Sequence, residues 1–80
     1  MSAARQFPSE FVDRLIAGDG QAFNELVDQT SGGIYGLGLR MLGNAQDAED
    51  MLQETFLKAH NALRGFKKRS SLYTWLYRIA

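Results

Sequence analysis

Apolar residues recur along the chain at helical spacing, and no stretch alternates as a strand would. Pro8 and Ser9 precede "EFVDRLIAG", in which Phe11, Val12, Leu15 and Ile16 form one apolar stripe and Gly18 is the stop. After the turn "GDG", Phe23, Leu26, Val27, Ile34, Leu37 and Met41 follow three or four residues apart, or at sums of those spacings, up to Gly43. Gly32, Gly33, Gly36 and Gly38 interrupt that second segment, each costing a helix about 1 kcal/mol relative to alanine. They permit close approach of another helix, or they mark a break; the pattern allows both.

Asn44 then caps a third helix, with Asp47 three residues later as in a capping box and at the positive end of the helix dipole. Ala48, Met51, Leu52, Thr55, Phe56, Ala59 and Leu63 share its core side, and the helix ends near Gly65. Beyond the basic loop "RGFKKR", Ser70 or Ser71 can cap a last helix, "LYTWLYRIA". Leu72, Trp75, Leu76 and Ile79 face one way in it, while Tyr73 and Tyr77 lie on another side. The expected fold is all-α, a compact bundle of three to four helices with the second and third antiparallel. A break at Gly32 and Gly33 would add one. Its core should include Phe11, Leu15, Phe23, Leu26, Val27, Leu37, Met41, Met51, Leu52, Phe56, Leu63, Leu72, Trp75, Leu76 and Ile79. The last helix stops without a glycine or closing turn, so the chain reads as a truncated piece of a longer protein.

Composition narrows the function. A chain of 80 residues makes one small domain that buries only about 60 to 65% of its unfolded surface. Without cysteine there are no disulfides or thiolate metal sites, which suits a reducing cytoplasm. No signal peptide and no apolar run near the roughly 18 residues of a membrane span are present. Nothing resembles a catalytic triad or a phosphate-binding loop, and the lone His60 has no ligand spacing, so neither an enzyme nor a bound cofactor or metal is expected.

The zero net charge conceals a division. Residues 1–57 carry all nine acids against three bases, while residues 58–80 carry six bases and no acid. On the polar side of the third helix, "DAEDMLQETFLKAH", Asp50, Gln53 and Glu54 surround Leu57, with Asp47 on the same stripe. One account is a solvated face with a stray leucine, since single exposed leucines are ordinary. The other is a docking surface, an apolar anchor ringed by carboxylates and suited to a basic partner helix. In the C-terminal segment Arg64, Lys67, Lys68, Arg69 and Arg78 interleave with Phe66, Tyr73, Trp75 and Tyr77. Single-stranded nucleic acid needs that mixture, because cations track the backbone and bases stack on rings. Trp75, on the leucine side of its helix, fits the core better than stacking.

"DAEDMLQETFLKAHNALRGF" followed by "SSLYTWLYRIA" resembles region two of bacterial RNA polymerase sigma factors, specifically the extracytoplasmic-function group. The resemblance spans the chain from about Gly18 onward, including "AGDGQAFNELVDQ". It implies that Asp47, Asp50, Gln53, Glu54 and Leu57 dock on the clamp of the polymerase largest catalytic subunit. It implies that the next loop and helix capture the melted non-template strand of the promoter minus-ten element, flipping a base out. By match, Phe66, Lys67, Lys68, Arg69, Ser70, Ser71, Tyr73, Tyr77 and Arg78 would do so, with Trp75 in support. An anti-sigma protein would be a further partner, and the second domain, which reads the minus-thirty-five element, is absent. "FKKRSS" is more basic than the corresponding loop common in the group, so base preference does not transfer. The rival is a helical protein-interaction module with no DNA role.

Overall fold

The structure, a computed structural model, describes residues 7–68 and 70–80. Helix α1 spans Ser9–Ile16, α2 Gly20–Leu42, α3 Ala45–Ala62 and α4 Leu72–Ile79, with one 3-10 turn, Leu63–Gly65, after α3. Among the described residues there is no strand, and no helix is long and apolar enough to cross a membrane.

Short polar punctuation sets the order of the helices. Gly18 has φ +93°, and its N–H donates to the Leu15 carbonyl while the Asp19 N–H donates to that of Arg14. These paired bonds close α1 as a Schellman motif, for which glycine supplies the left-handed residue. Asp19 immediately caps α2, its Oδ1 accepting from the N–H groups of Gln21 and Ala22 at 2.9 and 3.3 Å. Its other oxygen accepts from Arg14 Nε at 2.8 Å, tying the two helices at their shared corner. Gly43, at φ +82°, ends α2, and Asn44 caps α3 by accepting from the Asp47 N–H at 2.8 Å. The Asn44 side-chain amide also donates to the Asp47 carboxylate, a side-chain form of the expected box. A two-residue link between long helices makes α2 and α3 an antiparallel pair.

The second helix does not break. Its buried stripe is Ala22, Leu26, Thr30, Ile34 and Gly38, four residues apart throughout, and two of the glycines serve close approach. A Cβ on Gly38 would lie 3.1 Å from Cα and Cβ of Ala48, so α3 crosses there nearly backbone to backbone. One on Gly33 would lie 2.4 Å from the Tyr77 hydroxyl, so that glycine makes room for α4, whereas Gly32 faces open space. The buried Thr30 and Thr55 donate their hydroxyls to the carbonyls of Leu26 and Met51, both at 2.7 Å, which satisfies them inside the core.

This geometry corrects part of the expected core. Phe11, Leu15, Leu26, Phe56, Leu63, Leu72 and Leu76 are buried, and Phe23, Val27, Met51, Leu52, Trp75 and Ile79 pack against them half-buried. Met41, expected inside, is 64% exposed: α3 begins at Ala45 and touches α2 at Gly38, so nothing covers the turn beyond. Leu37 is only half-buried for a related reason, because Gly38 occupies the contact line beside it.

Candidate functional site

On α3, the core face is taken by Ala48, Thr55, Phe56 and Ala59, which turns the opposite side to solvent. Asp50, Gln53, Glu54 and Leu57 line one shallow concavity there. Leu57 is 63% exposed at its centre, and Gln46 Nε2 donates to Asp50 Oδ1 at 3.2 Å on the rim. Asp47 stands apart, bound to Asn44 at the helix start. Four of the five expected docking residues are thus brought together, and the fifth is bound to the residue that caps the helix carrying them.

The second candidate surface lies between the loop after α3 and helix α4. Ser71 caps α4, its hydroxyl accepting from the Thr74 N–H at 3.1 Å, and this aims the helix back across the loop. Leu72 and Leu76 go into the core, leaving Trp75 half-buried against Phe66, with ring centroids 5.1 Å apart. A cavity of about 200 Å³ opens beside that pair, lined by Gly65, Phe66, Lys67, Ser70, Trp75 and Arg78. It offers an aromatic wall, two cations and a hydroxyl, a set able to enclose a planar base and neutralise its phosphates.

The expected strand-capturing residues divide into three groups. Phe66, Lys67, Ser70, Trp75 and Arg78 meet at the cavity, although Phe66 is only 8% exposed and serves as its floor. Tyr73 and Tyr77 form a separate pair beside Gly33, with rings 4.6 Å apart and the Tyr73 hydroxyl donating to that of Tyr77 at 3.1 Å. Lys68 turns away from both, with its Nζ on Asp13 and, at 3.4 Å, on Ser9 Oγ. Ser71 is occupied in capping, and Arg69 lies outside the described residues. Gly65 and Asp13 were not anticipated from sequence: the first has no side chain to announce itself, and the second pairs across 55 positions.

Away from these surfaces, Arg14 and Asp19 perturb one another. The hydrogen bond from Arg14, then the N–H of Ala22, holds the Asp19 carboxyl below the ordinary aspartate range, and the same bond raises Arg14. His60 lies edge-on to Phe23, ring centroids 5.1 Å apart, as a packed helix residue.

Comparison with known proteins is specific. The family model described as Sigma-70 region 2 matches residues 26–80. RNA polymerase sigma-H factor of Pseudomonas aeruginosa is 46% identical over 71 residues, covering 89% of this chain and 37% of that protein. The ECF RNA polymerase sigma factor SigW of Bacillus subtilis is 46% identical over 69 residues, covering 86% of this chain and 37% of its own length. The chain thus spans little more than a third of these relatives. An engineered region 2 of sigmaE, solved by NMR in complex with GTAAAA, superposes with a TM-score of 0.80 at 37% identity over 99% of this chain and 81% of its own.

Proposed function

Because the chain belongs to the sigma-70 region 2 family, we propose that it docks on RNA polymerase and captures the opened non-template strand of a promoter minus-ten element. It works by binding, in the cytoplasm where polymerase and promoter meet, and makes or breaks no bond. One observation carries this most strongly: the acidic concavity around Leu57 and the basic, aromatic cavity between the loop and α4 sit on one small body as two separate surfaces. Asp50, Gln53, Glu54 and Leu57 face the clamp, with Leu57 as the apolar anchor and the carboxylates steering a basic partner. An anti-sigma protein that covers either surface would silence the domain.

At the second surface, Lys67 and Arg78 neutralise phosphates while Trp75 and Phe66 wall a pocket for an extruded base. Unstacking costs a few kcal/mol, which enclosure and stacking offset. Preference for the opened strand over the duplex drives melting as a population shift. Weak intrinsic DNA affinity is compatible with this, because tethering to polymerase raises the local concentration of the reader at the promoter.

The deciding measurement is affinity for core RNA polymerase. Asp50→Lys and Leu57→Glu, each first shown to be folded, should weaken binding about tenfold or more, or about 1.4 kcal/mol. A native chain that does not bind would leave the rival module, with another partner for the same face.

A further inference from the structure

Lys67 and Lys68 are neighbours in a basic loop, yet they serve opposite sides of it. Lys67 lines the cavity against α4, while Lys68 crosses to α1, where its ammonium donates to Asp13 and Ser9. The backbone turns at that point: Lys68 has φ +60°, the one described non-glycine residue with positive φ. A lysine adopts that conformation only where surrounding contacts hold it. These side-chain contacts of Lys68 come from α1, a helix that contributes nothing to the cavity lining.

We propose that Asp13 is a positioning residue for strand capture, holding Lys68 so that the loop presents Lys67 and Ser70 to the cavity. This rests on the strand-capture function proposed above. Lys68 is then a latch between α1 and the loop, and its charge is spent on Asp13 instead of on a phosphate. The pair is solvent-exposed, with side chains 42% and 60% accessible, so its contribution to global stability is small. Its effect is local, because Lys67, Lys68 and Ser70 lie in no helix or strand that would fix Lys67.

The test runs against the electrostatic trend, which makes it sharp. Asp13→Asn makes the chain more positive, and added positive charge ordinarily strengthens nucleic-acid binding. The latch requires the reverse: about two- to fivefold weaker binding of a single-stranded GTAAAA hexamer, with lower backbone NMR order parameters at Lys67 and Ser70 in the free protein. The swap Asp13→Lys with Lys68→Asp keeps the net charge and should restore both readouts, even though it places a carboxylate in the DNA-facing loop. Equal or tighter binding by Asp13→Asn would overturn the proposal and make Lys68 a phosphate contact that Asp13 merely restrains. Unchanged order parameters in the loop would overturn it as well, whatever happens to DNA. If the native chain bound neither GTAAAA nor a randomised hexamer pool, strand capture itself would fall and the latch with it. The order parameters would still distinguish that case from a loop that Asp13 never held.

Discussion

Leucine occurs at position 26 with no exposed surface and at position 57 with 63% of its surface exposed, and the two leucines answer to different forces. Leu26→Ala should cost about 2 to 5 kcal/mol through lost burial and a cavity. Leu57→Glu should stay within about 0.5 kcal/mol of native in a thermal melt, because no packed neighbour is lost. Asp19 responds to pH. Its carboxyl is depressed in the folded state, so its stabilising contribution is complete above the unfolded value near 3.8 and is lost as pH falls through the depressed one. Asn caps a helix about as well as Asp. Urea midpoints of native protein and Asp19→Asn should therefore differ at neutral pH and converge on acidification below that value, while Arg14, raised above an already high pKa, adds no pH dependence in the accessible range. At this scale the exposed concavity around Leu57 was legible, because Leu57 violates its helix's polar stripe. The division of labour between Lys67 and Lys68 was not: composition shows two lysines, and only the approach of α1 separates them.

At the level of elements, Gly18, Gly43, Asn44 and Ser71 were readable as stops and caps, since they act within a few residues of themselves, whereas Asp19 was read only as part of a turn. The course of α2 was not readable. Periodicity rewards large apolar residues, and it selected the exposed Met41, whereas the buried stripe also includes the small Ala22, Thr30 and Gly38, the last of which lets α3 approach closely. The glycines consequently divide by role, and substitution should expose this. Gly32→Ala fills open space and should stabilise by about 1 kcal/mol through helix propensity alone. Gly38→Ala sets a methyl 3.1 Å from the Ala48 backbone and should destabilise by about 1 to 2 kcal/mol, overpacking exceeding the propensity gain. Paired denaturation curves would show opposite shifts in midpoint for the same chemical change.

Over the whole molecule, acid and base sort by sequence half and by task. Nine acids precede Lys58 and six bases follow Leu57, so on the proposed function one charge sign would meet protein while the other would meet a phosphate backbone. With zero net charge to attract it, duplex promoter DNA should bind the isolated chain weakly at about 0.15 M salt and lose affinity steeply as salt rises; titration by anisotropy checks this. The same segregation has a temporal side, visible in the Gly43–Asn44 link. Two residues join the two longest helices, so their pairing closes a very short loop at small entropic cost. A ribosome adds about 5 to 20 residues each second and releases the N-terminal part first. The helical hairpin that bears Leu57 is therefore expected to collapse while α4 is still unmade. On the proposed function, a nascent molecule would own its grip on the transcription machinery before it could read a promoter.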